Sequence, residues 1–248
     1  MNAVLAALVF TPSLAVGSFL NVVAARVPAG RSIVAPRSAC GDCGAEIRPR
    51  DNVPVLSYLL LRGRCRSCAA PISLRYPALE LGTAAFAAAC VAVFGPTVHA
   101  LAAAVLCAAL LTVSATDLER RVVPNAVVLS AAALVLVLQL ARDPSIEWPV
   151  AGLGAALFLF LAALAYPRGM GMGDVKLALL LGVGVGWTVP IALFAGMVLA
   201  LVPSAVLFAR HGALARKMAI PFAPFLALGG LVALFAGQPL LHAYLALL

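Results

Sequence analysis

The stretch Val150-Ala-Gly-Leu-Gly-Ala-Ala-Leu-Phe-Leu-Phe-Leu-Ala-Ala-Leu-Ala-Tyr166 decides the fold class, because it contains no charged side chain. The hydrocarbon core of a bilayer is about 30 Å thick, and a helix of roughly 20 apolar residues crosses it. We therefore expect this stretch, 150–166, to be a membrane span. Seven further stretches share its character and predict an all-α polytopic membrane protein of about eight transmembrane helices: 3–25, 78–95, 97–116, 123–141, 175–189, 190–209 and 222–247.

The composition of the whole chain agrees with this fold class. Of its 248 residues, 64% are hydrophobic and only 10% are charged, whereas a soluble domain carries about 25% charged residues. The net charge of +8 is compatible with nucleic-acid binding, but the basic residues lie between apolar stretches, as in the cytoplasmic loops of membrane proteins. We expect a lipid bilayer around the chain and no nucleic-acid partner. Because no Lys or Arg precedes Arg26, we expect the first stretch to remain as a span and not to be a cleaved signal.

The distribution of Lys and Arg predicts the orientation of the chain. If the loop after the first span is cytoplasmic and the spans alternate, the N-terminus lies outside and 16 of the 17 basic residues lie inside. Only Arg142 then falls outside. A seven-span alternative, with 175–209 as one re-entrant unit, would move three basic residues outside and is less favoured. The 16 inside residues are Arg26, Arg31, Arg37, Arg48, Arg50, Arg62, Arg64, Arg66, Arg75, Arg120, Arg121, Arg168, Lys176, Arg210, Arg216 and Lys217.

One large polar segment, which we call the cysteine loop (residues 26–77), separates the first two spans. It contains Cys40-Gly-Asp-Cys43 and Cys65-Arg-Ser-Cys68, two C-x2-C pairs with the spacing of a zinc ribbon. Four thiolates form the closed tetrahedral shell of a structural zinc site and leave no open position for catalysis. Disulfides or free thiols are the alternative, and a reducing cytoplasm disfavours disulfides. We expect three parts: a first transmembrane helix (1–25), the cysteine loop as a zinc-binding domain, and a second transmembrane domain (78–248).

Two acidic residues, Asp117 and Asp174, lie at the predicted cytoplasmic ends of spans. Ionisable residues at membrane depth are costly and usually functional. Asp174 follows Gly169-Met-Gly-Met-Gly173, whose glycines allow positive φ and a close backbone approach. An irregular backbone at this depth must be buried in protein or line water. Pro124 lacks an N–H donor and is expected to end the short polar connection after Asp117.

If they lie close together, the two carboxyl groups can form a catalytic pair. Neighbouring carboxylates in a partly dry site cannot both ionise easily, so one stays protonated, as in aspartic proteases. The ionised group can take a proton from water while the other polarises the scissile carbonyl. The residues alone leave three alternatives open: an ion pair of Asp117 with Arg120 or Arg121, an ion pair of Asp174 with Lys176 or a helix N-cap role for Asp174, and a proton or ion relay in a transporter.

Further motifs lie along nearly the whole chain. They are Gly17-Ser-Phe-Leu-Asn-Val-Val23, Asp51-Asn-Val-Pro54, Leu61-Arg-Gly63, Tyr76-Pro-Ala-Leu-Glu80, Asp117-Leu-Glu-Arg-Arg-Val-Val-Pro-Asn125, Gly171-Met-Gly-Asp-Val-Lys176 and Ile220-Pro-Phe-Ala-Pro-Phe225. Together with the cysteine pairs, they resemble the motifs of the type IV prepilin peptidases, bifunctional leader peptidases and N-methyltransferases of bacterial cell membranes. The motif around Asp174 resembles the GxGD type shared with presenilin-like membrane proteases. Val123 stands where isoleucine is common, which is a conservative departure.

The resemblance implies an activity and the place where it occurs. The protein would remove the leader of prepilins and pseudopilins at the cytoplasmic face of the bacterial inner membrane, and it would methylate the new N-terminus with S-adenosylmethionine. The pattern predicts neither the residues of the methyl-donor site nor an oligomeric state. A related aspartic peptidase without methyl transfer and a non-enzymatic proton- or ion-coupled transporter are the alternatives. By resemblance, the proteolytic pair is Asp117 and Asp174, with Gly171, Gly173, Lys176 and Pro124 in support.

Overall fold

The computed structural model describes residues 2–166, 170–212 and 220–246. In chain order their α-helices are α1 Asn2–Arg26, α2 Leu56–Leu60, α3 Arg75–Phe94, α4 Val98–Arg120, α5 Asn125–Arg142, α6 Glu147–Ala165, α7 Met172–Val185, α8 Val189–His211 and α9 Ala223–Leu245. Within these ranges the only β-structure is two isolated bridges in the cysteine loop. Gly169, Arg168, Arg216 and Lys217, which the sequence analysis singled out, lie outside the described residues.

The prediction of an all-α membrane protein is confirmed. In the described part of the chain, seven helical segments are long and apolar enough to cross a membrane. One of them, Met172–His211, contains both α7 and α8, where the sequence predicts two separate spans. The α7 helix has 14 residues and is therefore about 21 Å long at 1.5 Å per residue. Its length is less than the thickness of the apolar core of a bilayer. For this reason the described residues contain seven segments of spanning length and not the expected eight.

The α7 helix ends at a turn that requires a glycine. Gly186 has a φ of 60° and a ψ of −137°, a backbone conformation that is essentially restricted to glycine. The carboxylate of Glu147, in the first turn of α6, accepts the N–H of Trp187 at 2.9 Å and lies against Gly186 where a Cβ would stand. This turn separates α7, which packs on α5 and α6, from α8, which packs along α9.

The chain divides into two compact units, Met1–Ala115 and Thr116–Leu248. In the first unit, α1 and α3 pack closely at Gly17, where an added Cβ would lie only 2.6 Å from the Cα of Glu80. The helices can approach this closely because glycine has no side chain. Asn21, one turn further along α1, is buried and donates from Nδ2 to the carbonyl of Tyr76 at 3.0 Å. Helices in lipid usually associate through small residues and polar side chains. Both kinds of contact hold α1 against α3.

Glycines also set the helix contacts of the second unit. A Cβ on Gly182 of α7 would collide with the backbone of Ala151 in α6, and one on Gly229 of α9 would collide with the carbonyl of Ala192 in α8. Lipid tails are as apolar as leucine side chains, so such helices associate through close packing and not through the hydrophobic effect. These contacts fix α7 and α9, and both helices carry residues of the candidate site.

Candidate active site and metal-binding cluster

Asp117 lies in the last turn of α4 and is buried, with an exposed fraction of 7%. Its Oδ2 accepts a hydrogen bond of 3.1 Å from the backbone N–H of Ala223, the first residue of α9. The first N–H groups of a helix have no partner within the helix, and a negative charge is favourable beside them. The start of α9 is therefore joined directly to the first predicted catalytic residue.

Asp174 lies in the first turn of α7, and its backbone N–H donates to the carbonyl of Gly171 at 3.1 Å. Its side chain is half-buried and turns back towards Gly171. Asp117 and Asp174 both belong to the second unit, and Gly173, the neighbour of Asp174, packs against Val123 of the connection that follows Asp117.

Gly173 permits the close approach between α7 and the connection that follows Asp117. A Cβ on Gly173 would lie 2.7 Å from the Cβ of Val123. Gly171 has a φ of −86°, which any residue adopts, and the nearest atom to an added Cβ would be 3.7 Å away. Gly171 therefore does not use the positive φ that glycine allows. Gly173 does not use it either, because it lies within the helix α7. The positive φ near the site occurs at Arg121, at 55°, because the chain turns sharply after α4.

A side-chain contact joins the same two segments. Lys176 of α7 donates from Nζ to Oδ1 of Asn125, the first residue of α5, at 2.8 Å. Pro124 is buried and precedes α5, and its carbonyl accepts the N–H groups of Val127 and Val128. Pro124 therefore stands where the connection ends, in line with its expected role, and Lys176 binds an amide oxygen. Among the described residues, no side-chain hydrogen bond or salt bridge joins Asp174 to Lys176 or Asp117 to Arg121.

The four predicted metal ligands lie together in the cysteine loop. All four sulfur atoms are within 4.8 Å of one another, and the Sγ atoms of Cys40 and Cys68 are 3.8 Å apart. No disulfide joins Cys40, Cys43, Cys65 or Cys68. Tetrahedral zinc with Zn–S bonds of about 2.3 Å requires sulfur–sulfur separations of roughly 3.8 Å. The cluster could therefore hold a metal ion, and the separation of the Cys40 and Cys68 sulfur atoms matches the one that tetrahedral zinc requires.

The two C-x2-C pairs adopt the same backbone turn. Cys40 and Cys65 each donate their N–H to the carbonyl five residues later, at 2.9 and 2.8 Å. Hydrogen bonds from the N–H groups of Cys68 and Ser67 lower the pKa of the Cys65 thiol to about 7. Since the thiolate is the form that binds metal, the turn prepares Cys65 for that role.

Sequence reasoning identified the two aspartates but not the partners that hold them. Ala223 contributes a backbone N–H and Val123 contributes a Cβ contact. Neither side chain carries a functional group that would mark it in the sequence as part of a site. The motif Ile220-Pro-Phe-Ala-Pro-Phe225 was the available signal for Ala223, because proline is common at the first positions of a helix and the first N–H groups of a helix have no partner within it.

The described geometry defines a class of protein: a multi-pass membrane protein with two carboxyl groups at helix ends of one unit and a four-cysteine cluster in a polar loop. Residues 12–94 match the family described as "Bacterial Peptidase A24 N-terminal domain", and residues 104–205 match the "Type IV leader peptidase family". The chain belongs to the type IV leader peptidase family, and it is accordingly a membrane aspartic peptidase by class.

Curated relatives extend the similarity over nearly the whole chain. A protein of Burkholderia pseudomallei (strain 1026b) is 38% identical over 91% of this chain and 84% of its own length. One of Bacillus subtilis (strain 168) is 34% identical over 96% and 97%, and one of Pseudomonas aeruginosa is 34% identical over 94% and 90%. All three are named prepilin leader peptidase/N-methyltransferase. No solved structure matches the chain.

Proposed function

We propose that this protein cleaves the leader peptide of type IV prepilins and pseudopilins and N-methylates the new N-terminus with S-adenosylmethionine. Membership of the type IV leader peptidase family supports the reaction, and so do the names of relatives that match this chain almost from end to end. The observation that carries the proteolytic half is that Asp117 and Asp174 lie in the last turn of α4 and the first turn of α7 within one unit, where Gly173 of α7 packs against Val123 of the connection after Asp117. The methyl donor is a second substrate, and no residue is assigned to it.

In the proposed mechanism, Asp117 is the carboxylate that takes a proton from the attacking water, and Asp174 is the acid that donates to the scissile carbonyl. The hydrogen bond from Ala223 supports this division, because an N–H donor at a helix start stabilises negative charge on its acceptor. Two carboxyl groups of unequal charge state are what acid–base hydrolysis of a peptide bond requires. The tetrahedral intermediate collapses when Asp117 passes the proton taken from water to the leaving amine, the C–N bond breaks, and the re-forming carbonyl returns its proton to Asp174.

We also propose the sidedness that the distribution of basic residues predicts. The N-terminus lies outside, and the cysteine loop and both aspartates face the cytoplasm at the bacterial inner membrane. Arg120, Arg121 and Lys176 lie beside the aspartates in sequence, as the positive-inside rule expects of cytoplasmic ends. The prepilin would reach the site from within the bilayer, through its apolar helix.

A direct assay tests the proposed function. The purified full chain in detergent or liposomes is incubated with a prepilin, and the product is analysed by intact mass and N-terminal sequencing. We expect loss of the leader without a methyl donor, and an added methyl group when S-adenosylmethionine is present. Cleavage without methylation would support the related-peptidase alternative, while proton- or ion-coupled flux without any cleavage would support the transporter alternative.

The cysteine cluster is proposed to hold one structural zinc ion. Cys40, Cys43, Cys65 and Cys68 would be its four ligands, and zinc would supply a cross-link within the loop and no catalytic chemistry, since four thiolates leave no open position. The functional parts are then the first helix (1–25), the zinc-binding cysteine loop (26–77) and the membrane protease domain (78–248).

Removal of this metal is expected to unfold the cysteine loop while the membrane helices persist, because binding energy at such sites is folding energy for the segment that carries the ligands. Metal analysis of the purified chain should give about one zinc per chain, and a Cys65→Ser variant should lose it. Limited proteolysis before and after chelation should show new cuts confined to residues 26–77. A preparation that contains no zinc, with the four thiols oxidised, would contradict the assignment.

A further inference from the structure

The short helix α2, within the cysteine loop, exposes three leucine side chains on one face. Leu56, Leu59 and Leu60 follow the spacing i, i+3 and i+4, so they lie on the same side of the helix. Their exposed fractions are between 52% and 73%. Ser57 is instead buried, and its hydroxyl bonds to the backbone of the cysteine loop. In the part of the chain that the structure describes, the apolar face of α2 is therefore left uncovered.

The start of α2 is tied to a residue inside a candidate membrane span. Oε2 of Glu80 accepts the backbone N–H of Val55 at 2.7 Å, and Val55 immediately precedes α2. Glu80 lies one turn beyond Tyr76 in the candidate span Arg75–Phe94, which is about 6 Å along the helix axis. Helical side chains lean towards the start of their helix, so the carboxylate lies between the levels of Tyr76 and Glu80. The start of α2 is therefore held at the depth of the first turns of this span.

The first turn of α3 has the side chains that are typical of a membrane–water interface. Tyr76 is exposed, and the guanidinium carbon of Arg75 lies 4.8 Å from the centre of its ring. Tyrosine is enriched at the level of the lipid headgroups, and an arginine near a helix end reaches towards the same level. Leu74, which precedes α3, is exposed as well. Because α2 begins at this level, its leucines lie at the boundary between the headgroups and the acyl chains.

The end of α2 is tied to the segment that enters the same span. The N–H of Gly63 donates to the carbonyl of Tyr58 at 2.8 Å, and the carbonyl of Gly63 accepts the N–H of Ile72 at 2.7 Å. Gly63 has a φ of 66°, and a Cβ there would collide with the ring of Tyr58, so this turn depends on glycine. Ile72 lies only three positions before α3 begins. Hydrogen bonds at both ends therefore hold α2 beside the start of the span.

Two arginines follow the apolar face of α2 in the chain. Arg62 and Arg64 are exposed, and within residues 2–166, 170–212 and 220–246 their side chains form no salt bridge. Helices that lie in a membrane interface combine an apolar face with Lys and Arg, and a guanidinium group suits a phosphate. A protein partner fits less well, because the centres of protein interfaces are enriched in aromatic residues and methionine, whereas this face consists of leucines. The chemistry of the patch therefore favours phospholipid.

We propose that the apolar face of α2, formed by Leu56, Leu59 and Leu60, inserts into the phospholipid bilayer that surrounds α1 and α3, with Arg62 and Arg64 at the headgroup phosphates. An interfacial helix buries its apolar face about 5 to 10 Å into the boundary between headgroups and acyl chains. The cysteine loop is then attached to the membrane at a third place, besides the two spans that it connects. The proposal concerns the cysteine loop alone and does not depend on the proposed enzymatic function.

Site-specific photo-crosslinking of the full chain tests this insertion. A benzophenone amino acid is placed at position 59 in one chain and, as the matched control, at position 42 in another, because Asp42 is an exposed polar residue of the same loop. Each chain is illuminated in phospholipid nanodiscs and in cell membranes, and the products are identified by mass. We expect position 59 to gain the mass of a phospholipid and position 42 not to do so. A crosslink from position 59 to this chain or to another protein, or equal lipid labelling at both positions, would overturn the proposal.

A fluorescence measurement keeps the test decisive if the photoreactive chains do not fold. Leu59→Trp and Ser67→Trp are compared in bilayers with and without phospholipids that carry bromine on their acyl chains, and the emission of the unaltered chain, from Trp148 and Trp187, is subtracted. Bromine quenches an indole ring that it touches. We expect most of the emission added by Leu59→Trp to be lost in the brominated bilayer and the emission added by Ser67→Trp to be kept. Unquenched emission from Leu59→Trp, at the wavelength of an indole in water, would reject the insertion.

Discussion

Asp117→Asn and Asp174→Asn are each expected to lower the rate of leader cleavage by about 100- to 10,000-fold, the contribution typical of a positioned acid or base. Asparagine keeps the size of the side chain and, at position 117, an oxygen that can still accept the N–H of Ala223. It cannot take up or release the catalytic proton. The loss should therefore occur without a change in the fold, and it is measured as the initial rate of prepilin cleavage at equal amounts of folded enzyme.

Glu119→Gln provides the matched control for these variants. Glu119 lies in the same last turn of α4 but is exposed, so its neutralisation should leave cleavage within about twofold, as surface substitutions usually do. Substantial cleavage by either aspartate variant would remove that residue from the proposed pair.

The membrane helices could be predicted from the sequence because each long apolar run has few other stable arrangements in lipid. In the region of α7 and α8 that reasoning gave two alternatives, separate spans over 175–189 and 190–209 or one re-entrant unit, and the structure has two helices there. Hydropathy is continuous from Met172 to His211, and the division between the two helices depends on the φ of Gly186 and on the Glu147 carboxylate beside it. Neither a positive φ nor a contact between residues 40 positions apart produces a periodic pattern of apolar residues in the sequence.

The same reasoning explains which parts of the site were predictable. Asp117 and Asp174 were identified because an acidic residue at membrane depth is costly and is usually functional. The cysteines were identified because the spacing of the two pairs suits a single metal ion. The hydrogen bond between Ala223 and Asp117 joins positions 106 residues apart, and the donor is a backbone group that every residue except proline possesses. Likewise, the carboxylate of Glu80 accepts the backbone N–H of Val55, 25 positions earlier in the chain. Backbone partners can be found only once the fold is known.

Gly173→Ala is expected to lower the rate of leader cleavage by about 100-fold, because misplacement of a catalytic group by about 1 Å has an effect of that size. The new Cβ would lie 2.7 Å from the Cβ of Val123, so α7 must move away from the connection after Asp117, and Asp174 must move with it. Gly171→Ala is the matched control, since its φ of −86° suits alanine and its added Cβ has ordinary contacts.

A second substitution in the same chain identifies the cause of this loss. Val123→Gly removes the Cβ that the Gly173→Ala side chain would otherwise meet, and in the Gly173→Ala background it should recover part of the cleavage rate. Val123→Ala should not, because it retains that Cβ and with it the 2.7 Å contact. The three chains are compared by cleavage rate and thermal stability. Equal rates for Gly171→Ala and Gly173→Ala would show that the approach of α7 to Val123 does not set the position of Asp174.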